Sequence, residues 1–96
     1  MFGLLQEQIL SIKGVFANHP RIQRAIVYGS RAKGNYRQGS DLDVCLMGKD
    51  LLFDELLRIE TELDDLLLPI RIDVSLFDQI DNPDLIAHIE RVGITV

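Results

Sequence analysis

The apolar residues of this chain recur with two different periods, and the alternation between them predicts a mixture of helices and strands. Helical spacing predicts three longer helices, which cover residues 2–16, 50–68 and 83–93. Runs of strand-forming residues predict three strands, which cover residues 24–28, 41–46 and 70–77. A polar segment, residues 35–40, predicts a loop before the second strand.

Residues that favour particular helix ends mark the bounds of these elements. Asp50 is expected to cap the long helix, and Pro83 suits the first turn of the last helix. Gly29 and Ser30 follow the first strand and predict a tight turn into a short helix. Ser30 is the expected N-cap of that short helix, and Gly34 is its expected end.

In chain order these elements predict a single domain of the α/β or α+β class over residues 1–96. Its centre is expected to be a small mixed β-sheet of about three strands, with the helices packed on one face. Because successive side chains of a strand point to opposite faces, Leu42, Val44 and Leu46 are expected to face the core.

The opposite side of the same strand carries acids. Asp41 and Asp43 lie two positions apart, and Asp73 has the matching position in the third predicted strand. If these strands are neighbours, the three carboxylates converge on the open side of the sheet, although the pattern alone does not set the register. Adjacent carboxylates repel each other, and a magnesium ion that also binds phosphates would relieve the repulsion. The alternative is an ordinary solvated strand face.

The turn after the first strand offers the complementary chemistry. Gly29 lets the backbone approach a ligand closely, and Ser30 presents a hydroxyl and an N–H to an anion; the alternative is an ordinary turn with a helix cap. Arg31 and Lys33 would either neutralise phosphate charge or form a solvated helix face. Asp73 would hold a second metal, accept a proton from an attacking hydroxyl, or be an ordinary exposed acid.

Composition narrows the classes of function. The net charge of −5 argues against nucleic acid as a direct ligand, because phosphate-backbone affinity rests on Lys and Arg. Cys45 is the one cysteine and is expected to be a small buried hydrophobe, so no internal disulfide is expected. No stretch has the length of a membrane span and no signal peptide is recognisable, so a cytoplasmic protein is expected. His19 and His88 lack metal-ligand spacing and are expected at the surface.

The spacing of the turn and the acids resembles a known signature. Gly29-Ser30, followed after ten residues by Asp41-x-Asp43, resembles the motif of the DNA polymerase β-like nucleotidyltransferase superfamily. The longer text Gly-Ser-Arg-Ala-Lys-Gly with Gly-Ser-Asp-Leu-Asp-Val resembles its minimal nucleotidyltransferase (MNT) branch, in which a domain of about this size stands alone.

This resemblance implies a nucleotidyltransferase fold and a role for each matching residue. Gly29, Ser30 and Arg31 would bind the nucleotide triphosphate. Asp41, Asp43 and Asp73 would be the catalytic acids and the ligands of a two-metal Mg²⁺ site, with Asp73 acting as metal ligand or base. An acceptor hydroxyl would attack the α-phosphate of ATP, and pyrophosphate would leave.

The resemblance also implies a partner. MNT proteins resemble antitoxins of bacterial pairs whose other half is a HEPN-domain ribonuclease, and they transfer AMP to a tyrosine of that toxin. Two alternatives stay open: a non-catalytic module that neutralises its partner by contact alone, and a small-molecule acceptor, which is less favoured because no second domain binds it. Leu51, Phe53, Leu57 and Leu68 lie outside the main stripe of the long helix. They would form a partner or homodimer surface, or pack under neighbouring helices.

Overall fold

The computed structural model describes all 96 residues, and its elements alternate much as the sequence predicts. In chain order they are α1 (Gln6–Ala17), β1 (Arg24–Tyr28), α2 (Gly29–Lys33), β2 (Leu42–Met47), α3 (Phe53–Asp64), β3 (Ile72–Leu76), a 3₁₀ turn (Phe77–Gln79), α4 (Pro83–Val92) and β4 (Ile94–Thr95). No helix is long and apolar enough to cross a membrane.

The strands form one mixed sheet in the order β3-β2-β1-β4. β1 runs antiparallel to both β2 and β4, whereas β2 and β3 are parallel and are connected through α3. A parallel pair needs such a crossover, because a short turn cannot return the chain to the same end of the sheet. The predicted fold class is therefore confirmed. The fourth strand has only two residues, which is too short to give a recognisable pattern.

The main core lies between one face of the sheet and the helices α1 and α3. The expected inward residues of β2 are all buried, and each is no more than 2% exposed. They pack in one cluster with apolar residues of the two helices: Ile12, Val15, Phe16, Leu56, Ile59 and Leu63. Alternation along β2 thus determines which face the helices cover.

A smaller cluster on the other face was not expected. Ile26 of β1, Cys45 of β2 and Ile89 of α4 pack together, so α4 adds a helix to the second face of the sheet. The continuous apolar run Ala25-Ile26-Val27 explains this, because a strand buried on both faces does not alternate. Cys45 is fully buried as expected, and burial raises the pKa of its thiol to about 11.

Two helix starts differ from the prediction. α1 begins at Gln6, because Phe2 and Gly3 have positive φ angles and cannot be part of a helix. The side chain of Phe2 is instead buried in the main core. α3 begins at Phe53 and its N-cap is Leu52, so Asp50 does not cap it. The apolar periodicity extends beyond each helix because the preceding segment also packs against the core.

The additional apolar residues of the long helix divide between the two expected roles. Leu51 and Leu68 pack against the main core. Phe53 and Leu57 remain 66% and 48% exposed, and a spacing of four residues places them next to each other on one side of α3. Of the four residues, only this pair is therefore free to form an apolar contact surface, together with the exposed Leu52 beside it.

The expectation that His19 lies at the surface is wrong. His19 is buried between two glutamates of α3, with Nδ1 2.9 Å from Glu55 Oε2 and Nε2 2.7 Å from Glu62 Oε2. Burial acts to lower the pKa of His19, but the hydrogen bonds and charges of the two carboxylates together outweigh it and raise the pKa above 6.5. The cluster clamps the α1–β1 connection onto α3, which sequence reasoning could not see because the partners are 36 and 43 residues away.

This clamp predicts a pH-dependent stability. The pKa of His19 is raised in the folded state, so protonated His19 stabilises the folded protein. This stabilisation is complete below the pKa of the unfolded state, about 6.5, and is lost as the pH rises through the pKa of the folded state. We expect the free energy of unfolding, measured by urea titration, to fall as the pH rises above about 6.5. His19→Gln should remove this dependence and cost about 1 kcal/mol at pH 6. If the free energy of unfolding changed with pH to the same extent in the wild type and in His19→Gln, the stabilising role of the His19 cluster would be contradicted.

Candidate active site

A sharp turn at Gly29 joins β1 to α2 and begins the site. The φ angle of Gly29 is +74°, a backbone region that side chains with a Cβ rarely adopt. A Cβ at this position would also overlap Oδ2 of Asp43 on the neighbouring strand. Two independent constraints therefore require glycine here. Ser30 is not the N-cap as expected, because that position belongs to Tyr28 and Ser30 lies in the first turn of α2. Gly34 ends the helix in the left-handed conformation, as expected.

Register places two of the three predicted acids side by side. Asp43 of β2 is the direct partner of Asp73 in the parallel pair, and it is also the partner of Tyr28 in the antiparallel pair. Paired residues of neighbouring strands share a face, so both acids point to the side away from α1 and α3. Asp41 precedes β2 by one residue and is half-buried, as is Asp43, whereas Asp73 is exposed.

The electrostatics agree with this geometry. Partial burial raises the pKa of Asp43, and the negative charges of Asp73 and Asp41 raise it further. The imidazole of His88 acts in the opposite direction. Asp41 and Asp73 therefore both lie within electrostatic range of Asp43. Ionised Asp43 is held at neutral pH in surroundings that disfavour its charge, which a nearby cation would relieve.

The donor set fits magnesium, although the acids do not form a complete metal cage. No group of three or more His, Cys, Asp and Glu side chains lies close enough together to hold a metal ion by itself. Magnesium needs less than this, since it is usually held by one or two carboxylates together with substrate phosphates and water. Asp41 and Asp43 would supply the carboxylates, and the space left open by the missing Cβ of Gly29 adjoins Oδ2 of Asp43.

His88 lies beside the Gly29 turn, and its half-buried position agrees only in part with the expected surface location. It is half-buried on α4, and its Nε2 accepts a hydrogen bond from the backbone N–H of Gly29 at 3.2 Å. Its ring meets the ring of Tyr28 edge-on, with the centroids 6.2 Å apart. The contact spans 59 residues of sequence, so no local pattern could reveal it. Tyr28 itself is half-buried, and burial raises the pKa of its hydroxyl.

Arg31 has a different role from the one expected. It is only 4% exposed, and its guanidinium donates hydrogen bonds to the backbone carbonyls of Phe2, Gln38 and Ser40. The guanidinium also lies 4.9 Å from the centre of the Tyr36 ring. These contacts tie α2 to the N-terminal segment and to the loop that leads into β2, and the geometry does not support phosphate binding by Arg31. Its position directly after Ser30 suggested phosphate binding, since long-range carbonyl contacts leave no sequence signal.

The turn predicts a graded response to alanine at two glycines. Gly34 has a φ of +88° and open space around it, so Gly34→Ala should cost about 1–2 kcal/mol from backbone strain alone. Gly29→Ala adds overlap with Asp43 and should cost about 2–4 kcal/mol. Urea unfolding of the two variants checks this. Equal losses would contradict the close approach of Gly29 and Asp43.

The raised pKa of Asp43 predicts that neutralising it stabilises the protein. The pKa of Asp43 is higher in the folded protein than in the unfolded chain, so folding favours the protonated carboxyl. At pH 7 the carboxyl is ionised, and its charge destabilises the folded state. Asp43→Asn should gain about 0.5 kcal/mol, or roughly 2–4 °C in Tm, at pH 7. The gain should shrink as the pH falls toward 4, where the wild-type carboxyl becomes protonated. Calorimetry at both pH values measures this, and a lower Tm of the variant at pH 7 would refute it.

Comparisons with known proteins identify the family of this chain. A family model described as polymerase beta nucleotidyltransferase matches residues 11–96. No curated protein matches the chain.

Several solved structures share the fold. A toxin–antitoxin complex with AMP-PNP has a TM-score of 0.72 at 19% identity, and the match covers 96% of this chain and 72% of that chain. A mutant of the toxin–antitoxin complex MntA-HpeT has a TM-score of 0.72 at 17% identity, with the same coverage. A complex of tri-AMPylated Shewanella oneidensis HEPN toxin with its MNT antitoxin has a TM-score of 0.63 at 17% identity, covering 92% of this chain and 70% of that chain.

At these identities the solved structures establish the fold, whereas the family model spans all but the first ten residues. The chain belongs to the polymerase β nucleotidyltransferase family.

Proposed function

We propose that this protein transfers AMP from Mg-ATP to a hydroxyl, most simply a tyrosine, of a HEPN-domain partner, and thereby acts as an antitoxin. The observation that carries the proposal is the in-register pairing of Asp43 with Asp73 beside the Gly29 turn. The solved structures that match this chain include a complex of an AMPylated HEPN toxin with its MNT antitoxin and a toxin–antitoxin complex with AMP-PNP. These complexes support this partner and this nucleotide.

In this proposal each residue has a defined task at the α-phosphate. The Gly29 backbone and Ser30 hold the triphosphate, and Asp41 and Asp43 would hold magnesium, with Asp73 as a further ligand or as the base. The bound metal would stabilise charge on the attacking and leaving oxygens. The acceptor oxygen forms a bond to the α-phosphorus, the bond to the bridging oxygen breaks, and pyrophosphate leaves with that electron pair. Asp73 is the candidate to accept the hydroxyl proton.

The three acids differ in burial, and this difference suggests separate positions for the nucleotide donor and the hydroxyl acceptor. Asp41 and Asp43 are half-buried near the turn, whereas Asp73 is exposed on β3, which is the edge strand of the sheet. An acceptor on another protein can therefore approach past β3 without displacing the nucleotide. This arrangement favours a macromolecular acceptor, because the open edge offers no enclosed pocket for a small one.

Radiolabelled ATP distinguishes this reaction from phosphoryl transfer. The purified protein is mixed with Mg²⁺, a purified HEPN-domain protein from the same organism and ATP labelled at either the α- or the γ-phosphate. We expect label on the partner from α-labelled ATP only. Asp43→Asn and Asp73→Asn should each reduce transfer about 100-fold or more, because charge stabilisation and proton acceptance are lost.

A matched control is available on α3, which lies on the other side of the sheet from the acids. Asp54→Asn neutralises an exposed acid in the first turn of α3 and should leave transfer unchanged. The Tm of Asp43→Asn shows that its loss of transfer does not come from unfolding. Absence of α-label on the partner would overturn the proposal. An Asp41→Asn, Asp43→Asn double variant that still silences the partner would favour neutralisation by contact alone.

A further inference from the structure

The backbone N–H of Gly29 already has a partner in the protein without nucleotide. It donates to Nε2 of His88 at 3.2 Å, and the acceptor comes from α4 near the other end of the chain. A backbone N–H can only donate, so Nε2 carries a lone pair in this contact and the ring proton of the neutral imidazole is on Nδ1. His88 is held there by its edge-on contact with Tyr28 and by the neighbouring Ile89, which is buried against β1 and β2.

The proposed reaction needs the same N–H for a phosphate oxygen. One N–H forms a single well-aligned hydrogen bond, so the imidazole and the phosphate cannot both receive it at full strength. A charged phosphate is the stronger acceptor of the two, so the exchange proceeds in favour of the nucleotide. The imidazole is nevertheless a competitor that must be displaced before the nucleotide is seated.

We propose that His88 is a positioning residue of the nucleotide site, which holds the Gly29 turn in the free protein and gives up the Gly29 N–H to the incoming phosphate. This inference rests on the proposed function. It makes the hydrogen bond between His88 and Gly29 mutually exclusive with nucleotide binding. Nucleotide binding therefore breaks one hydrogen bond that holds α4 to the turn. The contacts of α4 then differ between the free protein and the protein with bound nucleotide.

The sign of a binding change separates this role from a merely structural one. If His88 competes for the Gly29 N–H, His88→Ala removes the competitor and Mg-ATP should bind about 3- to 5-fold more tightly. If His88 only supports the turn, the same variant loosens it and binding weakens. His88→Gln places an acceptor oxygen close to the position of Nε2 and should restore wild-type affinity.

Calorimetric titration of each protein with Mg-ATP, without the acceptor protein, measures these affinities. Glu90→Ala is the matched control, because Glu90 is an exposed side chain of α4 two residues away; its affinity should equal that of the wild type. In ¹H–¹⁵N spectra, the Gly29 amide should shift upfield in His88→Ala relative to the wild type and to His88→Gln. Addition of Mg-ATP should bring the Gly29 amides of all three proteins to a common position.

The outcomes separate the two proposals. Unchanged or weaker binding by His88→Ala, with a wild type that binds Mg-ATP and transfers AMP, overturns the role of His88 alone. A Gly29 amide that does not respond to His88→Ala overturns it as well. A wild type that binds no Mg-ATP overturns the proposed function itself, irrespective of how the His88 variants behave.

Discussion

The site depends on one close approach, in which the Asp43 carboxylate is held against the backbone of Gly29 and beside Asp73. The approach is unfavourable for the free protein, because partial burial and two neighbouring carboxylates all disfavour the charge of Asp43. It persists because Asp43 is fixed by its backbone and not by partners of its side chain. Leu42 and Val44, the residues on either side of it, are almost completely buried in the main core.

The rest of the sheet can be understood as the support of that residue. β2 is flanked by β1 and β3, so its backbone hydrogen bonds are made on both sides and the strand cannot shift register without exposing its apolar face. Arg31 adds a second restraint, since its bonds to Ser40 and Gln38 fix the loop that delivers the chain into β2. A buried guanidinium is expensive to desolvate, and its carbonyl contacts satisfy it. The turn and the acids are thereby held in one frame before any ligand arrives.

The parts of this picture that sequence reasoning predicted are those determined by local rules. Alternation in β2 placed Asp43 opposite the core, and the need for glycine at a tight turn singled out Gly29. Contacts between distant segments were not predictable in the same way. His19 and His88 give no periodic or spacing signal, yet each is positioned by a partner 36 or more residues away. Arg31 was assigned to phosphate by its place in a motif, whereas the folded chain turns it toward backbone carbonyls.

The acids also differ in burial, and the difference matches the separate tasks proposed for them. Asp41 and Asp43 are half-buried beside the turn, where low solvent exposure would strengthen their attraction for a cation. Asp73 lies on the edge strand and is exposed, where a second protein can reach it. A half-buried Asp73 would interact more strongly with the metal but would be closed to a protein acceptor. An exposed Asp43 would be accessible but would hold the metal weakly. Adjacent strands of one parallel pair resolve this conflict, because in-register neighbours share a face while the residue on the outer strand is the more exposed of the two.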